Sequence, residues 1–261
     1  MTRLALLVLN PASPASVHAV RNAVKASQLP FSVQLYTKSF DDSIARWVQQ
    51  DDHQQGKVYE LEPFHKSAMA RARNYLLQTA LDPMDQYVIW LDPMLEDFPP
   101  TLIEDMQRIM DKGTTHDDKP ATIDVLAPNT MIIKDGTEWG YERGNWQETE
   151  LSKALHDTVA EDFVFMEGWW EFDTHRFLML DMMTSGSNET LVALDGVGGS
   201  CLFVRADVHR GGINFPPYVY KNQLDTESFA KAALTDGYGV YGLPNYKLLH
   251  SQPLAHLNSN E

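Results

Sequence analysis

Tyr87-Val-Ile-Trp-Leu91 is five apolar residues without polar alternation, and it stops at Asp92. A strand wetted on one face alternates polar and apolar residues, because successive side chains point to opposite faces. An unbroken run predicts a strand covered on both faces, as inside a sheet with helices above and below. Its neighbours supply those helices. His65–Leu81 sets Ala68, Ala70, Ala72, Leu76, Leu77 and Ala80 among basic residues at helical spacing. Pro99-Pro100-Thr101 then opens a helix over Leu102–Met110.

The start of the chain repeats this alternation. Leu4–Leu9 reads as a short buried strand stopped by Asn10-Pro11, 14–27 as a helix, Phe31–Tyr36 as a strand and Ser39–Gln50 as a helix. Further on, Ile123–Leu126 and Phe163–Phe165 read as strands, 127–147 as a long irregular segment, and Gln147–Thr158 and Thr226–Leu234 as helices. Tyr238–Tyr246 reads as strand and turn running into His250. No linker or repeat divides the 261 residues. The expectation is one α/β domain of Rossmann type over 1–261, with a mostly parallel central sheet flanked by helices and long loops at the carboxyl ends of the strands. Ligands of such sheets bind beyond those carboxyl ends. That puts Asp92 and the residues after Leu126 at the predicted site.

Composition removes several functions. The chain has 21 basic against 36 acidic residues, a formal net charge of −15. Such a charge repels nucleic acid and anionic membrane, while an anionic small molecule stays possible beside a local Arg, Lys or bound cation. A single cysteine, Cys201, rules out an internal disulfide and a Cys-based zinc cluster. No window reaches ~18 uninterrupted apolar residues, so no membrane span or signal is read in the chain as given. There is no P-loop, no His-Glu-x-x-His helix and no Gly-x-Ser-x-Gly elbow. Asp195-Gly-Val-Gly-Gly199 is glycine-rich but lacks the dinucleotide spacing and lies within an apolar run. Asn188-Glu189-Thr190 fits the N-glycosylation acceptor pattern, which arises often by chance.

One order of elements carries chemistry. Ala70-Arg-Ala-Arg-Asn74 sits on a helix, the Tyr87–Leu91 strand follows, and an aspartate ends it. This resembles the core of nucleotide-sugar glycosyltransferases of the GT-A type, where a helix-borne Arg-Asn pair lies near the donor and an acidic motif binds a divalent metal. A departing diphosphate needs a cation or guanidinium beside its growing charge. Helical positions two apart diverge by ~200°, so Arg71 and Arg73 cannot both face one ligand. Arg73 is the expected donor-side residue.

A closer resemblance covers roughly residues 65 to 250. Ala70-Arg-Ala-Arg-Asn-Tyr75, Val88-Ile-Trp-Leu-Asp92, Asp124-Val-Leu-Ala-Pro-Asn129, Asn145-Trp-Gln-Glu-Thr149 and Leu194-Asp-Gly-Val-Gly-Gly199 occur in order. Phe215-Pro-Pro217, Asp225-Thr-Glu-Ser-Phe229 and Gly237–Pro244 follow, closing on His250. Together these blocks resemble the fungal mannan-polymerase α-mannosyltransferases, glycosyltransferase family 62. The resemblance implies a GT-A fold, a GDP-mannose donor, manganese, and transfer to a mannose-containing glycan acceptor with retention of configuration. It also implies residence in the Golgi lumen and assembly into homo- or hetero-oligomers with related subunits.

In the same terms, Asp92 and His250 are expected at the metal, and Arg73 and Asp92 at the donor. Asp195 is expected to hold or deprotonate an acceptor hydroxyl, with Trp146 and Glu227 on the acceptor side. Each has a plainer alternative. Asp195 can bind the backbone of its own glycine turn, Glu227 can cap a helix, and His250 can be a satisfied core histidine. Trp139, Tyr141, Trp146, Trp169 and Trp170 can form a sugar platform or fill the core beneath loops. Leu178–Met183 reads as core or subunit contact.

The family's acidic-x-acidic motif is reduced here to Asp92-Pro93-Met94. A thioether is a poor ligand for a hard cation. Asp92, His250 and the donor diphosphate can suffice, Glu96 or Asp97 can substitute, or the chain binds no metal and either transfers slowly or acts as a non-catalytic subunit. Were the strand to continue, Met94→Asp would restore a ligand on the face of Asp92. A third class, glycoside hydrolysis by Asp92 and Asp195, needs both carboxylates in one cleft.

Overall fold

The computed structural model describes residues 4–9, 33–38, 58–92, 94–116, 119–167 and 173–251. The helices read over 14–27 and 39–50, and Trp169 and Trp170, lie outside the described residues. In chain order the strands are β1 (Leu4–Leu9), β2 (Val33–Lys38), β3 (Tyr87–Leu91), β4 (Leu95–Asp97), β5 (Thr114–His116) and β6 (Lys119–Ala121). They continue as β7 (Val125–Lys134), β8 (Thr137–Gly140), β9 (Trp146–Gln147), β10 (Phe177–Leu178), β11 (Val192–Ala193), β12 (Cys201–Arg205) and β13 (Val240–His250).

Nine of these form one sheet along the path β11-β13-β7-β12-β3-β1-β2, with β4 added beside β13 and β8 beside β7. β1 pairs parallel with both β2 and β3, and β7 pairs parallel with β13. β12 inserts between β3 and β7 and runs against both. The architecture is thus α/β with a helix-flanked central sheet, as expected, and the sheet is mixed in direction. The expected mostly parallel sheet is therefore a correction: β4, β8, β11 and β12 all run against their neighbours, leaving three parallel pairings and five antiparallel, and β12 is not legible as reversed because it reads like any other buried apolar run.

The alternation hidden in β3 now has its cause. Val88 and Trp90 face one core, with Ala70, Leu76 and Leu77 of the helix Val58–Ala80 and Phe229, Ala230 and Ala233 of the helix Asp225–Thr235. Tyr87, Ile89 and Leu91 face the other, against Leu102, Ile103, Met106, Ile109 and Met110 of the helix Leu102–Lys112. β12 alternates in register, Leu202 opposite Trp90 and Phe203 opposite Ile89, so both strands feed the same two cores. Met179 and Met182 join the first core, which settles most of the Met-rich run as packing.

Three further expectations need correction. The segment 127–147 is largely a hairpin: β7 runs on to Lys134 and returns as β8 through Asp135-Gly136, both left-handed with φ of 52° and 74°. Asp-Gly is the usual chemistry of such a two-residue turn, so the hairpin has a local signal in the sequence. Phe163–Phe165 forms no strand; Phe165 N–H donates to the Asn222 carbonyl at 2.9 Å instead. The helix read over Gln147–Thr158 is only Glu150–His156, started by a capping box between Thr149 and Ser152.

Candidate functional site

A cleft of about 430 Å³ opens at the carboxyl end of β3 and is lined by Asp92, Arg73, Tyr141, Glu142, Asp225 and Glu227 among others. Asp92 is fixed at both ends. Its N–H donates to the Ser200 carbonyl at 2.9 Å, and its Oδ1 accepts from Met94 N–H at 2.7 Å. Leu95 N–H then donates to the Asp92 carbonyl at 3.2 Å, so the chain turns here. A turn breaks the two-residue periodicity of a strand. Met94 therefore does not share a face with Asp92, and the expectation built on that geometry fails. Glu96 and Asp97 lie exposed on β4, outside the cleft lining.

Pairing of β4 with β13 sets His250 opposite Leu95 and so brings it to Asp92. The imidazole is 5% exposed, with Nε2 at 3.6 Å from Asp92 Oδ1. Nδ1 lies 2.6 Å from the Ser251 carbonyl oxygen, which assigns the proton to Nδ1. Nε2 is buried without a hydrogen-bond partner. Two acceptors face each other across a gap suited to a proton or a cation. Burial alone would hold the His250 pKa down, but the Asp92 carboxylate, the Ser251 carbonyl and Glu142 raise it above its ordinary value. Tyr141 stacks on the imidazole, ring centres 3.9 Å apart, and burial beside Asp92 and Glu142 pushes its phenol up to about 12.

Arg73 is buried and pairs with Asp225, which begins its helix with a left-handed φ of 54°. Arg71, two positions earlier, is exposed, in keeping with their divergence around the helix. Glu142 escaped the sequence reading because no motif marks it. Its Oε2 accepts from Gly199 N–H at 3.1 Å, Ser200 N–H at 3.0 Å and Ser200 Oγ–H at 2.6 Å. Its Oε1 accepts from Gly144 N–H at 2.9 Å. The glycine run is thereby explained by close approach. A Cβ at Gly198 would overlap the Glu142 carboxyl group, one at Gly196 the Trp146 ring, and one at Gly199 would sit 2.6 Å from Arg73 Nη2.

The three acceptor-side expectations divide. Glu227 lines the cleft but does not cap its helix. It is buried and held by Lys66 at 2.6 Å, Arg176 at 3.1 Å and Trp146 Nε1–H at 3.1 Å. Trp146 has no exposed surface, and Arg176 and Lys231 lie over its ring at 3.8 and 4.9 Å. It offers no face to a sugar. Asp195 is absent from the cleft lining, and its Oδ2 accepts from Glu148 N–H at 2.8 Å. It anchors β9 to the glycine turn, and the hydrolase reading loses its second carboxylate. Trp139 is exposed on β8, away from the cleft, while Tyr141 lines it.

Burial works against ionised Glu227 and Glu148. Lys66, Arg176 and Trp146 outweigh it for Glu227, and Lys231 and Ser152 for Glu148, so both carboxyls sit below their ordinary 4.5. A depressed folded-state pKa adds stability that is complete above the unfolded value and is lost as pH falls through the folded value. Urea midpoints should therefore drop below about pH 4.5 as these two carboxyls protonate, on top of a decline that starts below about pH 6.5 because burial pushes the pKa of His209 down to about 4. Glu227→Gln should flatten that acid limb; an unchanged limb would remove Glu227 from the account.

The Anp1 family model matches residues 3–219. The chain belongs to the Anp1 family. Curated relatives of this Anp1-family chain include the mannan polymerase complex subunit MNN9 of Candida albicans, 32% identical over 89% of this chain and 61% of that protein. The mannan polymerase I complex VAN1 subunit of Saccharomyces cerevisiae is 34% identical over 85% and 39%, and the mannan polymerase II complex anp1 subunit of Schizosaccharomyces pombe 36% over 71% and 41%. The chain thus spans less than two thirds of each. Among solved structures, S. aureus TarS 1-349 aligns over 96% of this chain and 60% of its own at 11% identity, with a TM-score of 0.47.

Proposed function

We propose that this Anp1-family chain is the nucleotide-sugar-binding part of an α-mannosyltransferase, which moves mannose from GDP-mannose to a mannose-containing glycan with retention of configuration. The observation that carries the reading is the Asp92–His250 pair, 3.6 Å apart with Nε2 unpartnered, beside a cleft that also holds Arg73. A carboxylate oxygen and a neutral imidazole nitrogen suit Mn²⁺. Asp92 and His250 would hold the ion, and its charge would offset that of the departing diphosphate. The protein's own groups do the rest. Tyr141 fixes the His250 ring by stacking, and Ser251 fixes its tautomer. Arg73 and Lys66 are the cationic partners of Asp225 and Glu227 in the cleft lining, the groups a diphosphate would meet there. Glu142 and Glu227 line the cleft as carboxylates fixed by donors of the protein, Glu142 by the glycine turn and Glu227 by Lys66, Arg176 and Trp146. Asp195 has no place in this scheme.

Incubation with GDP-mannose, Mn²⁺ and an α-mannoside tests the reading, with mass spectrometry for addition of one hexose and NMR for the anomer. A second reading, a non-catalytic subunit of a mannan polymerase complex, has its own support. Among the described residues no group of three or more His, Cys, Asp or Glu stands ready to hold a metal, and the relatives are named as complex subunits. Under that reading, neither nucleotide binding nor transfer occurs without partner subunits. Residence in the Golgi lumen rests on the family resemblance; among the described residues no helix is long and apolar enough to cross a membrane. Since the chain turns at Met94, Met94→Asp should leave Mn²⁺-dependent GDP affinity within about two-fold of wild type, because one kcal/mol already corresponds to five-fold. A ten-fold gain by calorimetry would show that the new carboxylate reaches the ion after all.

A further inference from the structure

Five carboxylates line the cleft, Asp92, Glu142, Glu167, Asp225 and Glu227, against three permanently charged cations, Lys66, Arg73 and Arg143. An anion entering such a cleft needs a cation whose charge and donors are not already committed. Lys66 pairs with Glu227 at 2.6 Å, and Arg73, itself buried, pairs with Asp225. Arg143 differs from both. Its side chain is 49% exposed, and the Glu167 carboxylate stands 3.8 Å from its Nη2, too far for a hydrogen bond. Among the described residues its guanidinium donates no hydrogen bond. The backbone that carries it is nonetheless fixed. Glu142 accepts from Gly199 and Ser200, Gly144 N–H donates to Glu142 Oε1 at 2.9 Å, and Asn145 Oδ1 accepts from Gly198 N–H at 2.9 Å. Glu167 is held in turn, since Thr174 Oγ–H donates to its Oε2 and leaves Oε1 toward Arg143.

We infer that Arg143 is the cleft residue that takes the donor's diphosphate by direct hydrogen bonds, turning from Glu167 to the anion; this rests on the nucleotide-sugar reading of the cleft. A guanidinium presents its donors in a planar fork that matches two phosphate oxygens. What each cation gives up decides among the three. Arg73 could turn to a phosphate only by abandoning buried Asp225, whose Oδ1 already lacks a hydrogen-bond partner. Lys66 could do so only by leaving the buried Glu227 carboxylate. Uncovering a buried charge is costly, whereas an exposed ion pair without a hydrogen bond holds its partner weakly. Arg143 exchanges such a pair for charge-assisted hydrogen bonds to phosphate. Arg73 and Lys66 then act on the diphosphate through their charge, from fixed positions.

Calorimetric titration of GDP and of inorganic pyrophosphate, each with Mn²⁺, into wild type, Arg143→Ala, Arg143→Lys and Glu167→Gln tests this. Arg143→Ala should lose at least ten-fold in affinity for both anions. Arg143→Lys keeps the charge without the fork and should fall between wild type and alanine. Glu167→Gln removes the competing carboxylate, keeps an acceptor for Thr174 and should bind both anions at least two-fold tighter. Urea midpoints of the variants should match wild type, because an exposed side chain without hydrogen bonds holds little of the fold together. GDP binding that Arg143→Ala leaves unchanged would overturn the inference alone, as would a Glu167→Gln variant that binds no tighter than wild type. Pyrophosphate bound through Arg143 by a protein that does not bind GDP would bring down the nucleotide-sugar reading while the anion site stands. No binding of either anion to wild type would bring down both.

Discussion

Trp146→Ala should lower the stability of the fold by about 3–5 kcal/mol, the loss that follows deletion of a fully buried large aromatic side chain. Trp146 has no exposed surface. Its ring lies under the Arg176 guanidinium and near the Lys231 ammonium, and its N–H is one of the donors that hold buried Glu227. Truncation opens a cavity against Gly196, which exists to let this ring approach. It also removes cation–π contacts from two cations and a hydrogen bond from a buried carboxylate. Trp146→Phe keeps most of the volume and loses the N–H, so it should fall between wild type and alanine. Urea unfolding followed by circular dichroism reads both. A loss under about 1 kcal/mol for the alanine variant, within the ordinary range of surface substitutions, would mean that the ring does not anchor the site.

Arg73→Ala should cost about 3–5 kcal/mol of stability, the penalty for removing one partner of a buried ion pair. Arg73 and Asp225 are both largely buried, and the Asp225 Oδ1 already lacks a hydrogen-bond partner. Without the guanidinium, an aspartate in left-handed backbone geometry would be left buried and uncompensated. The same variant removes a cation from the cleft, so GDP affinity should fall at least ten-fold, about 1.4 kcal/mol. Arg71→Ala is the control on the same helix. Its side chain is exposed, and its effect should stay within about 0.5 kcal/mol. Equal effects of the two substitutions would contradict the assignment of Arg73 to the cleft.

Much of this was written in local sequence, and the exceptions have physical causes. β3 and its two flanking helices were legible because burial on both faces leaves an unmistakable apolar run. Asp92 and Arg73 were legible because a strand end and a helical angle are set by residues close in sequence. His250 was legible only through the family resemblance, since its neighbour Asp92 lies 158 positions away and is brought there by β4–β13 pairing. Glu142 is illegible for the same reason: three of the four hydrogen bonds to its carboxylate come from Gly199 and Ser200, nearly sixty residues on. The glycine turn itself was seen, but its cause was not, because sequence cannot say which ring or carboxylate will press against a missing side chain. Trp146 was read as a sugar platform since tryptophan serves both loops and cores. Only the contacts to Arg176, Lys231 and Glu227 decide for the core. The turn at Met94 is not legible because the hydrogen bonds that make it, from Met94 N–H to the Asp92 side chain and from Leu95 N–H to the Asp92 carbonyl, leave no apolar pattern in the sequence.

The central claim is that Asp92 and His250 hold a divalent ion which completes a nucleotide-sugar site. Calorimetric titration of GDP into the protein, with Mn²⁺ and with a chelator, tests it most directly, on wild type, Asp92→Asn and His250→Ala. The account predicts binding to wild type only with Mn²⁺, and a loss of at least ten-fold in each variant. GDP binding of equal strength with and without Mn²⁺, or binding that neither substitution disturbs, would contradict it.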